Sequence, residues 1–335
     1  MTFAEAVALV DAARTPGELF RGEDAAATYR KLARLLHPDA VPAWRRATAT
    51  VVFARLSSLW ATHQGRGDAT LTTRRHRYSL GERFATGDLA NLYRVRYDGK
   101  EALLKLPRQP AANDLLEREA TALATLRRDG DPQHRAYAPE LVESFRHEDP
   151  TTGVRRTANV LSYSPGLVPL TEVARAYPDG LDPRDVAWIW RRLLVALGWA
   201  HRAGVVHGAV LPEHVLIEPD QHGVVLVDWC YSVTTEGGSV PALVARHRDW
   251  YPPEVTNRAP ATPATDIHLA TGCMRWLMGS RANNALFRFT RGCTQPNPRR
   301  RPQDAWRLLG ELDELLEKLY GPRRFRRLLL PTTTA

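Results

Sequence analysis

The stretch from Asp182 to Asp228 restricts the possible folds of this chain more than any other. Asp182 supplies a helix N-cap and Pro183 suits the first helical position. Val186, Ile189, Trp190, Leu193, Leu194 and Leu197 then recur at helical spacing, which predicts a long helix with one buried face over 183–203. The segment His207–His214 contains Gly208 and Pro212 and reads as a non-helical loop. Two short strands follow, near 215–217 and 224–227, bracketing a turn at 220–223 and ending at Asp228. The order is long helix, histidine-bearing loop, then a hairpin that delivers a carboxylate.

At 335 residues, the chain has room for two domains, each with its own core. It contains no apolar run of about 18 residues, and Glu5 and Asp11 lie in the first stretch with no basic leader, so we expect neither a membrane span nor a secretion signal. Cys230, Cys273 and Cys293 are odd in number and far apart, as suits a reducing cytoplasm. The net charge of +9 is spread along the sequence, which argues against a nucleic-acid partner. Basic residues are almost all Arg. Only Lys31, Lys100, Lys105 and Lys318 are lysines, so the position of each is informative.

Over 24–36, Ala25, Tyr29, Leu32, Leu35 and Leu36 predict an amphipathic helix whose other face carries Arg30, Lys31 and Arg34. It stops at His37-Pro38-Asp39, because proline cannot continue a helix. A second helix is expected over about 45–63, with Val52, Phe53, Leu56, Leu59 and Trp60 on one side, and another near 3–13. This arrangement resembles a J-domain, the module through which DnaJ-type cochaperones engage DnaK-type chaperones. The resemblance covers about residues 3–63 and implies that His37, Pro38 and Asp39, with the basic face of Arg30, Lys31 and Arg34, bind the chaperone. The family's tyrosine-containing first helix and Leu-Gly turn are not matched.

Residues 64–77 are polar and aperiodic, as expected of a linker. Beyond them, residues 78–106 alternate enough to predict a three-stranded meander with Asp98-Gly99 as a hairpin turn. Its last strand carries Lys105, and a helix at 113–127 carries Glu119. Together with the 182–228 pattern, these elements resemble a protein kinase over about residues 78–320. The implied fold class is α+β: a J-domain-like helical domain (1–65), a linker (66–77), a small β-rich N-lobe (78–166) and a mainly helical C-lobe with a basic tail (167–335).

Transferred position by position, the resemblance implies ATP and Mg²⁺ as ligands. The glycine-rich loop falls on Ala85, Gly87, Ala90 and Leu92, so only one glycine remains to bring backbone N–H groups to phosphate oxygens. Lys105 and Glu119 match the ion pair that positions the α- and β-phosphates. The catalytic loop is His207-Gly208-Ala209-Val210-Leu211-Pro212-Glu213-His214: the base is replaced by Ala209, the lysine by Leu211 and the metal-binding asparagine by His214. Asp228 remains as the implied magnesium ligand; His214 is a weaker metal candidate, since imidazole suits zinc or copper better than magnesium. His207, Glu254, Asp266 and Arg301 match structural positions, with Glu254 and Arg301 expected to pair.

The expected function is therefore a pseudokinase signalling or scaffold protein, one that binds a nucleotide or a protein partner without efficient phosphoryl transfer. The alternative is a divergent kinase acting on protein or a small molecule through Lys105 and Asp228. The His207-Gly208 pair is also similar to the H-G-D loop of small-molecule kinases. His201, His207 and His214 recur every seven residues, but the non-helical segment between them need not bring the rings together. Arg323, Arg324, Arg326 and Arg327 surround Phe325 in a segment expected to be a solvated tail or to dock on the lobe.

Overall fold

The computed structural model describes residues 1–13, 15–20, 24–63, 69–148 and 155–330. Its contacts divide the chain into two compact units: Met1–Gly81 with Val95–Gly99, and Glu82–Arg94 with Lys100–Ala335.

The first unit begins with α1 (Phe3–Ala12), where Thr2 and Glu5 cap reciprocally. The short α2 (Pro16–Leu19) follows, then α3 (Ala25–Leu36), whose N-cap Asp24 accepts from the Ala27 N–H. After His37 the chain turns through Pro38–Ala40 into α4 (Arg46–Ala61). The apolar stripes of these helices meet: Val10, Leu32, Leu36, Val52 and Leu56 are buried, and Tyr29 stacks on Trp60 with ring centroids 4.8 Å apart. His37 is exposed and its ring meets Phe53 edge-on at 5.1 Å. Residues 64–68 of the expected linker lie outside the described residues. From Ala69 the chain forms a strand, β1 (Ala69–Thr72), paired antiparallel with Arg77–Leu80 at the start of β2 (Arg77–Thr86).

The end of β2 leads through Gly87–Leu89 into β3 (Ala90–Tyr97), then through Asp98-Gly99, both at positive φ, into β4 (Lys100–Pro107), of which Glu82–Arg94 and β4 belong to the second unit. The expected meander therefore forms. Two further strands, β5 (Leu141–Glu148) and β6 (Arg155–Ser162), complete a sheet ordered β2-β3-β4-β6-β5 in this unit, and α5 (Asn113–Asp129) packs on it. Strand β6 lies beside β4 with Lys105 opposite Asn159.

The remainder of this unit is mainly helical. β7 (Val168–Pro169), β8 (Val215–Glu218) and β9 (Gly223–Leu226) form a small sheet, and α6 (Leu170–Ala176) follows β7. Helix α7 (Pro183–Arg202) runs through the core with α8 (Pro253–Thr256), α9 (Pro263–Met278), α10 (Asn284–Cys293) and α11 (Ala305–Tyr320) in the same lobe; α9 and α11 pack on it. As expected, Asp182 caps α7, accepting from the Arg184 N–H at 2.8 Å. The basic C-terminal segment docks on the lobe. Phe325 stacks on His222 (4.4 Å), which stacks on Trp188 (4.0 Å), while Arg326 faces Asp182 and Asp185 and Leu328 is buried. Among the described residues, no helix is long and apolar enough to cross a membrane.

Candidate functional site

The sheet of the small lobe and the loops after α7 enclose a cleft of about 1020 Å³. Leu92 and Leu103 from the sheet and Leu216 from β8 give it apolar walls, and Gly87, Lys105 and Asp228 line its polar side. Each polar group arrives on a different element. Lys105 sits on β4, Glu119 on α5, His214 at the end of the loop before β8, and Asp228 just after β9 at φ +64°.

Lys105 is the hub. Its Nζ donates to Glu119 Oε1 at 2.7 Å, to Asp228 Oδ1 at 2.6 Å and to Cys230 Sγ at 3.2 Å; Lys105, Glu119 and Cys230 are buried and Asp228 is partly so. Burial works against its charge, but the carboxylates of Asp228 and Glu119 outweigh that and hold the ammonium well above the usual lysine range. The second oxygen of Glu119 accepts from Asn159 Nδ2 at 3.0 Å, and the same amide donates to the Leu116 carbonyl. Asn159 thus fixes the helix carboxylate to the strand beside Lys105. No sequence motif marks Asn159; the β4–β6 register does.

His214 completes the cluster. Its Nδ1 lies 2.8 Å from the Ala209 carbonyl and its Nε2 lies 3.1 Å from Asp228 Oδ2. A carbonyl and a carboxylate only accept, so these two contacts favour a proton on each ring nitrogen. Burial opposes that charge, yet Asp228 and the Ala209 carbonyl raise the histidine above its ordinary range. Asp228, despite burial, is held well below the carboxylate range by Lys105 and His214.

Magnesium does not fit this donor set. His214 Nε2 stands 3.1 Å from Asp228 Oδ2 and Lys105 takes Oδ1, and imidazole is a poor ligand for an ion that prefers oxygen. Glu119, Asp228 and Cys230 do bring one ligand atom each within 4.8 Å of one another, but all three face the Lys105 ammonium. Burial first, with Glu119 beside it, holds Cys230 well above the thiol range. The three histidines diverge: His201 Nε2 reaches Asp266, His207 Nε2 reaches the Val227 carbonyl, and His214 reaches Ala209 and Asp228.

The loop around Ala209 is tightly fixed. Asp266 accepts from the His207 and Gly208 N–H groups at 2.7 and 2.8 Å. Gly208 has φ +76°, and a Cβ there would lie 2.6 Å from the Tyr231 carbonyl, so a side chain at this position is excluded by this backbone. Ala209 and Leu211 are fully buried. They therefore place no polar group in the cleft where phosphoryl transfer would require a carboxylate and a lysine. The expected Glu254–Arg301 pair is present and bidentate, at 2.5 and 3.0 Å, with Arg301 also donating to the Gln295 and Pro296 carbonyls.

At the cleft mouth is a bridge that no motif announces. Arg246, between Asp228 and Glu254 in sequence, bonds both Asp88 in the β2–β3 turn and Glu213 in the loop before β8, the latter at 2.6 Å. His247 Nε2 meets the same Glu213 oxygen at 2.7 Å. Gly87 itself closes a tight turn, its N–H donating to the Ala90 carbonyl at 2.9 Å. The residues His37, Pro38, Arg30, Lys31 and Arg34 lie in the first unit, with the basic side chains on α3; the side chain of Asp39 lies outside the described residues.

No family model matches the chain. Casein kinase II subunit alpha' of Saccharomyces cerevisiae is 36% identical over 53 residues, which span 16% of this chain and 15% of that relative. Among solved structures, the crystal structure of the BubR1 kinase domain superposes with a TM-score of 0.58 at 14% identity, covering 75% of this chain and 83% of that one. At that identity the likeness concerns architecture. The chain carries a bilobal, mixed α/β, protein-kinase-like fold.

Proposed function

We propose that this protein is a binding and signalling module: a pseudokinase whose cleft takes a nucleotide without transferring its phosphate, joined to a J-domain-like module that recruits a DnaK-type chaperone in the cytoplasm. One observation carries the first part. The Lys105–Glu119 pair that positions phosphates is intact, while the base and lysine positions of the catalytic loop are the fully buried Ala209 and Leu211. Phosphoryl transfer is mostly positioning and electrostatic stabilisation, so losing both groups removes the step while leaving a place to bind.

Thermal melting with ATP tests this. A ligand that binds only the folded state stabilises it by about 2.7 kcal/mol at a hundredfold excess over Kd. The expected result is a rise in Tm with ATP that is absent in Lys105→Ala, with no labelled phosphate appearing on protein or small-molecule acceptors. Label transfer that disappears in Asp228→Ala would instead establish a divergent kinase. For the helical module, the expected result is stimulation of a DnaK-type ATPase by the wild type and its loss in His37→Gln; equal stimulation would remove the chaperone from the proposal.

A further inference from the structure

Given the nucleotide binding proposed above, on which this inference rests, the arrangement around Asp228 bears on the form in which the nucleotide enters. We propose that this cleft binds nucleotide without a divalent cation, because the His214 side chain occupies the carboxylate oxygen that a metal would need. Asp228 Oδ1 lies 2.6 Å from Lys105 Nζ and Oδ2 lies 3.1 Å from His214 Nε2, so a cation approaching either oxygen meets a nitrogen already beside it. A magnesium ion requires carboxylate oxygen at about 2.0–2.1 Å and tolerates little distortion. Admitting one means moving His214 out of a buried seat.

That seat is well built. The ring donates to the Ala209 carbonyl, stacks near Tyr231 with centroids 6.0 Å apart and lies 6.3 Å from His207. The charged groups around it come from every element of the site. Asp228 accepts from it, Lys105 shares that carboxylate, and the neighbouring Glu213 is engaged by Arg246 and His247. Displacing the ring would leave the buried Ala209 carbonyl without its side-chain donor.

A base packs between Leu103 and Leu216, with Lys105 on the polar side of the same cleft.

The test uses the full chain and two independent readouts. A fluorescent ATP analogue is titrated in EDTA and in millimolar magnesium; wild type is expected to give the same Kd within about twofold, and His214→Asn a Kd at least about tenfold tighter with magnesium. Manganese is titrated separately, without nucleotide, following the loss of its free electron paramagnetic resonance signal; wild type is expected to leave it free and His214→Asn to bind it. His214→Gln is carried alongside as a second variant, and melting curves establish that each protein is folded. Wild-type nucleotide binding that requires magnesium overturns the proposal, as does manganese binding to wild type or identical manganese behaviour in all three proteins. If no nucleotide binds under any condition, the nucleotide reading fails, and the manganese titration alone then decides whether His214 excludes the metal.

Discussion

Ala209 sits between two histidines of opposite character. Its N–H points at His207 Nδ1 (3.2 Å) and its carbonyl at His214 Nδ1 (2.8 Å). A backbone N–H must donate, so His207 Nδ1 is bare and its proton sits on Nε2 toward Val227; the ring is neutral, and burial pulls its pKa down to about 4. The linkage signs are therefore opposite. A depressed folded-state value means that the contribution of His207 is complete above the unfolded value of about 6.5 and is lost as pH falls toward about 4. His214, raised in the fold, contributes fully below about 6.5 and loses that contribution as pH rises through its elevated value. Urea unfolding between pH 7 and 4.5 is expected to show a loss on the order of 3 kcal/mol traceable to His207, with a shallower acid limb in His207→Gln; identical limbs would refute the assignment. Lys105→Ala is expected to cost about 3–5 kcal/mol by the same measurement at neutral pH, because Glu119 and Asp228 lose the cation they share. Motif spacing made Lys105, Glu119, His214 and Asp228 legible in the sequence. The occupation of both Asp228 oxygens was not, because it depends on where a loop backbone puts a ring. Asn159 and Arg246 were invisible for a similar reason: their partners lie 40 and 158 residues away and meet through strand register and loop packing.

Helices α3 and α4 were readable because each buries one stripe that repeats with the helical period, and α7, though buried most of the way round, carries such a repeat in Val186, Ile189, Leu193, Leu194 and Leu197. Strand β6 was not. Residues 157–161 are all buried, so the alternation that would have revealed a strand is missing. β1 hid for the opposite reason: Ala69–Thr72 is short and polar, and its conformation comes from pairing with β2. A similar conflict between local and tertiary preference marks α7, which carries Gly198 within its length. On propensity alone, alanine there would favour the helix by about 1 kcal/mol. In the fold, a Cβ at this position would lie 2.5 Å from the Trp306 indole of α11, itself held between Arg202 (5.1 Å) and His134 (5.5 Å). Gly198→Ala is therefore expected to destabilise, by about 1–3 kcal/mol of overpacking, and Trp306→Phe in the same chain to recover part of the loss. Chemical denaturation of the single and double variants checks both, and a stabilised Gly198→Ala would show that α7 and α11 separate easily.

Two hydrophobic clusters run through the chain, and among the described residues they share no member. One joins Val10, Leu32, Leu36, Val52 and Leu56; the other extends from Leu115 to Leu328 around α7. The chemistry proposed for each segment draws on side chains held by its own core: the α3 face by Leu32 and Leu36, the Lys105 cluster by Leu116 and Leu226. A cavity in one core should therefore be felt by one function. Leu32→Ala removes a fully buried side chain and is expected to cost its segment about 2–5 kcal/mol. Scanning calorimetry of that variant should show an early transition shifted downward, while the affinity for the fluorescent ATP analogue stays at the wild-type value. Leu116→Ala, fully buried behind Glu119 on α5, should do the reverse, lowering the later transition and weakening nucleotide binding, with chaperone ATPase stimulation unchanged. If either substitution moved both readouts together, the two clusters would be energetically one, and activities assigned to separate segments would have to be reassigned to the chain as a unit.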